Sequence, residues 1–228
     1  MARHASLAQA EELDWREGRV PVSRRFDDPY YSLQDGLAET RHVFLAGNGL
    51  PGRFRPGFHV AELGFGTGLN LLASLQAWRE SGQAGRLRFT SFEAYPMAPA
   101  EMVRAQAGFA ALEGVARELA PHWGKPRILL DDLDFELVEG DARARLPVWP
   151  GRADAWFLDG FSPAKNPELW GAELMAEVYA HTARAGTAAT YTAAGAVRRG
   201  LAAAGFEVTR APGHGRKRHM TRATKGAA

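Results

Sequence analysis

Residues 58–80 read FHVAELGFGTGLNLLASLQAWRE. The opening FHVAEL is an apolar run of strand length that contains one acid, Glu62. Gly64, Gly66 and Gly68 then alternate with Phe65 and Thr67, and the chain continues to Glu80 with Leu69, Leu72, Leu75 and Gln76 at helical spacing. The stretch predicts a strand, a tight glycine turn and a helix. At such a junction the backbone turns sharply, approaches a ligand closely and faces it with helix N–H groups.

Outward from this unit the same alternation continues. Short apolar runs at 86–94, 133–140, 153–160, 186–193, 206–211 and 217–223 alternate with helix-like stretches at 100–120, 167–183 and 194–205. That order predicts an α/β fold, a mostly parallel seven-stranded sheet covered on both faces. The last two runs are separated only by a short turn, which predicts a terminal antiparallel hairpin. Residues 1–57 do not fit the alternation. Rich in Pro, Gly and Asp with scattered aromatics, they are expected to form an N-terminal extension packed on a domain spanning 58–228.

The chain has 228 residues, of which 46% are hydrophobic and 24% charged, a composition suited to one globular domain with a sizeable core. No run approaches a membrane span, and MARHASLAQAEELDW lacks the apolar middle of a signal peptide, so a cytoplasmic location and no membrane partner are expected. With 0 cysteines, thiolate metal sites, iron–sulfur clusters and cysteine nucleophiles are excluded. Methylation at ring carbon 5 of a pyrimidine, which commonly uses a cysteine adduct, is disfavoured for the same reason. The 7 histidines show no metal-ligand spacing. Net charge is +2, yet residues 178–228 carry nine Lys or Arg against the single acid Glu207. Such asymmetry points to a polyanionic partner, with a solvated basic tail as the plain alternative.

The glycine turn has the spacing G-x-G-x-G. A dinucleotide fingerprint asks for glycine where Leu69 stands, and the Lys-Ser/Thr of a phosphate-binding loop is missing. With Glu62 two residues before the first glycine, the pattern favours S-adenosylmethionine, with Glu62, Gly64, Gly66, Thr67 and Gly68 as cofactor-binding candidates. Glu93 ends the second strand, where a carboxylate can accept both ribose hydroxyls. Asp141 follows the third, within reach of an adenine amino group. A purely structural turn is the alternative for the glycines alone.

At 157–170 the chain reads FLDGFSPAKNPELW. An apolar strand delivers one acid, Asp159, into a loop shaped by Gly160, Pro163 and Pro167. This stretch, together with GLAETRHVFLAGNGLPGRF, AELGFGTGLN, TSFEAYP, TYTAAGAVRRGLAAAGFEV and GRKRHMTRA, resembles the methyltransferase domain of the MnmC family, called MnmD when it stands alone. The resemblance covers nearly the whole chain. Pro29 and His214 depart from the pattern.

The resemblance implies a Rossmann-like methyltransferase fold with S-adenosylmethionine as donor. It implies a tRNA substrate, whose wobble 5-aminomethyl(-2-thio)uridine becomes the 5-methylaminomethyl form. A flavin-dependent oxidoreductase, fused or separate, is then expected to supply the aminomethyl precursor. In that reaction a neutral amine must attack a methyl group, and an alkylamine is mostly protonated at neutral pH. Asp159 is therefore the catalytic candidate that orients the amine and takes its proton. Phe161 is a candidate to stack on the uridine and Lys165 to meet a phosphate, with Asn166 beside them; packing and turn roles are the alternatives. Arg216, Lys217 and Arg218 are candidates for phosphate contact. Tyr30 and Tyr31 either cap the cofactor or pack on the core. The competing readings are a methyltransferase of the same fold acting on another amine, and an RNA-binding relative without activity.

Overall fold

A computed structural model describes residues 12–32 and 35–227. Three short antiparallel strands come first, β1 (Leu13–Arg16), β2 (Val20–Ser23) and β3 (Asp28–Pro29), and form a small sheet of their own. Helix α1 (Gly36–Thr40) follows, capped by the Asp35 carboxylate, which accepts from the Ala38 N–H at 2.8 Å. It runs on through a wider π turn at Arg41–Leu45 and a 3-10 turn at Ala46–Asn48. Leu37, Val43, Phe44, Leu45, Leu50 and Phe54 from this stretch are buried in the same core cluster as the central strands.

The sequence pattern at 58–80 becomes β4 (His59–Leu63) and α2 (Leu69–Glu80). Then come β5 (Leu87–Glu93), α3 (Pro99–Gln106), α4 (Glu113–Leu119), β6 (Arg127–Leu129), β7 (Leu133–Glu139) and α5 (Ala142–Arg145). The chain closes with β8 (Ala153–Leu158), α6 (Ala172–Ala180), β9 (Thr182–Thr190), α7 (Gly195–Ala204), β10 (Glu207–Pro212) and β11 (His219–Thr224). The eight-stranded sheet has the order β10-β11-β9-β8-β4-β5-β7-β6. The five strands from β9 to β7 are parallel, whereas β6, β11 and β10 pair antiparallel.

Period-two alternation divides the core. Along β8, Ala155 and Phe157 face the cluster under α2 and α4, while Trp156 and Leu158 face the cluster under α6 and α7. Every residue of β8 is buried, as expected for a central parallel strand with helices on both faces.

Several boundaries differ from the sequence pattern. The sheet has an eighth strand, β6, whose Arg-Ile-Leu is too short to show a period and buries only Ile128. The helix expected over 100–120 is split into α3 and α4 by the segment 107–112, where Phe109 packs edge-on to Tyr31 at 5.1 Å. Gly171 likewise separates a 3-10 turn at Pro167–Trp170 from α6, and β9 starts at Thr182, ahead of its apolar run. Among the described residues no helix is long and apolar enough to cross a membrane.

Two backbone bonds carry the ladder past the strand ends. The Gly64 N–H donates to the Phe92 carbonyl at 2.9 Å, and the Asp159 N–H donates to the Leu63 carbonyl at 3.0 Å. Gly64 has φ +90°, and a Cβ there would run into the Asp159 carbonyl oxygen. Gly57 has φ +76° with nothing within 4 Å of a built Cβ. Ala at position 57 therefore tests backbone strain alone, and Ala at 64 tests strain plus collision. In urea titrations Gly57→Ala should lose about 1 kcal/mol and Gly64→Ala about 2–4 kcal/mol; equal losses would mean that the strand ends can part.

Candidate active site

The chain leaves β4 in one direction towards β5 and β7 and returns on its other side through β8 and β9. Such a reversal opens a crevice at the carboxyl ends of the two central strands. A cavity of about 940 Å³ lies there. Four strand ends reach it: the glycine turn after β4, Glu93 at the end of β5, Gly140-Asp141 after β7, and Asp159-Gly160 after β8. The N-terminal segment, α1 and the turn between β10 and β11 supply the remaining walls.

On the glycine side, Gly66 has φ +53°, and a Cβ there would stand 2.8 Å from the Tyr30 ring. The backbone is thus pressed between the cavity and an aromatic. Helix α2 starts at a left-handed Gly68 with no side-chain cap, so its first-turn N–H groups are left for other acceptors. The Glu93 carboxylate accepts from the N–H groups of Phe65 at 2.9 Å, Gly66 at 3.1 Å and Tyr95 at 2.9 Å. It therefore holds the turn's shape while lining the cavity.

Asp159 stands beside that turn, at the head of a polar network. Asn70, in the first turn of α2, donates to Asp159 Oδ2 at 2.7 Å and to Glu62 Oε1 at 2.8 Å. Its carbonyl accepts from Thr40 Oγ at 3.0 Å. Ser91 donates to the other Glu62 oxygen at 2.6 Å. Burial raises the Asp159 carboxyl to about 7; nearby Glu39 adds to the rise, and the Asn70 bond and Lys217 oppose it. Burial likewise pushes Glu62 well above the carboxylate range, against its bonds to Ser91 and Asn70. Lys217, from the turn between β10 and β11, reaches Glu39 Oε1 at 2.7 Å and lies 4.0 Å from the centre of the Tyr191 ring. The phenol of Tyr191 donates to the Gly160 carbonyl at 2.8 Å.

Gly64, Gly66, Thr67, Glu93, Asp141, Asp159, Phe161, Asn166, Arg216 and Lys217 all line the cavity. Other expected site residues lie elsewhere. Glu62 is fully buried beneath the turn with both oxygens taken by Asn70 and Ser91, so its part is to fix Asn70. Gly68 is buried at the start of α2, and its close neighbours are Met102 and Phe65. Lys165 turns to the N-terminal segment, bonding the Asp27 carbonyl and pairing with Asp27 Oδ2 at 3.1 Å. Arg218 is exposed outside the cavity wall. Asp141 reaches the cavity as the cap of α5, but the Arg143 guanidinium binds both its oxygens and holds its carboxyl below the usual range.

Phe161 stacks on Phe26 at 4.8 Å and meets Tyr30 edge-on at 5.0 Å, so it belongs to an aromatic wall. Tyr31 lines the cavity with its hydroxyl spent on the Arg19 and Ala105 carbonyls. Asn70, Glu39 and Tyr191 escaped the sequence reading. Asn70 directly follows the glycine turn, and Glu39 lies inside GLAETRHVFLAGN, but neither carries a spacing that signals chemistry.

Residues 110–226 match the family described as S-adenosyl-L-methionine-dependent methyltransferase. The chain is 49% identical over 221 residues to the tRNA 5-methylaminomethyl-2-thiouridine biosynthesis bifunctional protein MnmC of Caulobacter vibrioides, covering 92% of this chain and 37% of that protein. With the protein of the same description from Ralstonia nicotianae it shares 49% identity over 213 residues, 89% of this chain and 32% of the relative. It thus spans about a third of the length of these curated relatives. Among solved structures, MNMC2 from Aquifex aeolicus superposes with a TM-score of 0.74 at 26% identity, covering 96% of this chain and 72% of that one.

The raised Asp159 carboxyl has a consequence for stability. The folded protein prefers its protonated form up to about 7, against 3.8 for a free side chain. Its contribution is full below the lower value and is lost as pH rises through the upper one. Asn copies the shape of the protonated acid and never ionises. The melting temperature of Asp159→Asn minus that of wild type should therefore grow between pH 4 and pH 8 and level off above. A constant difference across that range would show that Asp159 ionises freely in the fold.

Proposed function

The chain belongs to the S-adenosyl-L-methionine-dependent methyltransferase family, and from that premise we propose that it acts on tRNA. In this reading it methylates the amine of wobble 5-aminomethyl(-2-thio)uridine to give the 5-methylaminomethyl form. The supporting observation is the placement of Asp159, on the cavity wall directly beside the glycine turn and at the head of the Asn70 network. The long relatives at 49% identity, described as tRNA 5-methylaminomethyl-2-thiouridine biosynthesis proteins, support the choice of substrate. A flavin-dependent oxidoreductase is the proposed source of the aminomethyl precursor, and the cytoplasm the proposed location.

The residues present suit the cofactor. The backbone of the glycine turn lines the cavity at Gly64 and Gly66, and aromatic walls come from Phe26, Tyr30, Phe65 and Phe92. In this assignment Glu93 receives the ribose hydroxyls beside the N–H groups it already accepts. In the same assignment Asp141 takes the adenine amino group, with Arg143 holding its carboxylate. S-adenosylmethionine, when bound, supplies a methyl group on a sulfonium, whose sulfur keeps the electron pair on transfer.

The protein's own work is to present a nitrogen lone pair. The acceptor amine arrives as an ammonium ion, and the Asp159 carboxylate takes one of its protons, leaving Asp159 protonated and the nitrogen neutral. A carboxyl near 7 suits this exchange, since it can both lose and accept a proton at neutral pH. Asn70 holds Oδ2 in place, and the strand ladder fixes the acid's distance from the glycine turn, so proton acceptance and alignment share one scaffold.

Nucleoside mass analysis of tRNA carrying 5-aminomethyluridine, incubated with the protein and S-adenosylmethionine, should show a gain of one methyl group. Wild-type rate should rise as pH increases through about 7, as Asp159 ionises. Asp159→Asn should lower the rate about 10²–10⁴-fold at neutral pH while calorimetry shows cofactor affinity little changed. Part of that loss should return at higher pH, where the amine is already neutral. A near wild-type rate at pH 7 would remove Asp159 from the mechanism.

Phosphate contact is proposed for the exposed Arg216 and Arg218. Replacing both with Ala should weaken tRNA binding and reduce its salt slope by about one for each phosphate no longer neutralised. An unchanged slope would place the RNA on another face.

A further inference from the structure

Lys217 lies between two arginines, yet its ammonium turns inward. Nζ sits 2.7 Å from Glu39 Oε1 and 4.0 Å from the centre of the Tyr191 ring. Glu39 is a fixed wall, its side chain only 12% exposed and its neighbour Thr40 bonded to Asn70. Tyr191 is anchored through its phenol to the carbonyl of Gly160, the residue after Asp159. A carboxylate beside an aromatic face is a receptor for a primary ammonium ion. Here the protein's own lysine fills it, at the end of the cavity where Asp159 stands.

We propose that Glu39, Tyr191 and Asp159 form the subsite that recognises the acceptor's primary ammonium group, and that Lys217 is its resident occupant, displaced when the acceptor enters. This rests on the reading of the acceptor as an amine. The subsite selects for charge: an ammonium restores the cation that Lys217 withdraws, and a neutral hydroxymethyl group does not. Lys217 is free to leave, because its side chain is 44% exposed and the turn that carries it is closed independently by the Gly213 N–H to the Arg218 carbonyl at 3.1 Å. Only the side chain has to swing. A polyanion seated on Arg216 and Arg218 offers Lys217 phosphate in exchange for Glu39, so docking of RNA opens the subsite.

The test is equilibrium binding of free 5-aminomethyluridine, measured by calorimetry on wild type, Lys217→Met and Glu39→Gln, with 5-hydroxymethyluridine as the neutral control. A free nucleoside has no phosphate with which to draw Lys217 away. Lys217→Met should therefore bind the amine about three- to tenfold more tightly than wild type, and Glu39→Gln about tenfold more weakly. The neutral control should be indifferent to both changes. In kinetics on tRNA, Lys217→Met should leave the KM equal to or above that of wild type, since RNA already displaces the lysine. Weaker or unchanged binding of the amine by Lys217→Met overturns the occupant role, and unchanged binding by Glu39→Gln overturns the subsite. Failure of wild type to methylate the tRNA, with the charge-selective pattern intact, would sink the reaction and leave the subsite standing.

Discussion

The close approach of the β4 and β8 strand ends is the constraint on which the site depends. Gly64 has no Cβ because the Asp159 carbonyl occupies the space one would need. The bonds from Gly64 to Phe92 and from Asp159 to Leu63 extend the parallel ladder beyond the last strand residues. The cofactor turn and the acid are consequently two ends of one hydrogen-bonded unit, not two loops that happen to meet. Both strands are buried on both faces, so the large residues packed on either side, Phe157 and Trp156 among them, hold that unit rigid. For a reaction whose rate depends on alignment, this turns core packing into catalytic positioning.

The same rigidity has an electrostatic consequence. Asn70 has two amide hydrogens and gives one to each of two acids, Glu62 and Asp159. Both carboxyls are raised by burial, and Asp159 raises Glu62 further. Two acids on one amide in a poorly solvated place favour keeping a proton, which leaves Asp159 poised rather than fully ionised. A network tuned only for stability would not bury two acids there. That local conflict sits on the cavity wall, where the proposed mechanism sends the acceptor's proton, as expected where chemistry is performed at the expense of stability.

The fold was legible in the sequence because its signals are local. A strand, a glycine turn and a helix lie within 58–80, and the acids at 93, 141 and 159 each end an apolar run. Where the signal was not local, the sequence was silent. Asn70, Glu39 and Tyr191 meet only through tertiary packing, from the start of α2, from α1 and from the end of β9. Glu62 occupies the position of a ligand-binding acid in the motif, yet it is fully buried behind Asn70, with Asn70 and Ser91 taking both its oxygens. Strand β6 was invisible because it buries one residue, and the α3–α4 break was invisible because Phe109 finds its partner Tyr31 at a distance in sequence.

Lys165 shows how the N-terminal segment takes up the charge of the 159–166 loop. The sequence suggests a free cation six residues after Asp159, ready for phosphate. In the fold Asp28 accepts from the Ser162 N–H at 2.9 Å, and Lys165 lies 3.1 Å from Asp27 and 3.9 Å from Asp28. Phe26 stacks on Phe161 in the same loop. The segment therefore holds the 159–166 loop by backbone, ion-pair and aromatic contacts and neutralises its lysine in doing so. Lys165 is thus spent within the fold, while on the turn between β10 and β11 Arg216, which lines the cavity, and Arg218, outside it, remain exposed. Under the function proposed above, exposed arginines on that turn suit the phosphates of the substrate, and the carboxylates of Glu39 and Asp159 suit its amine.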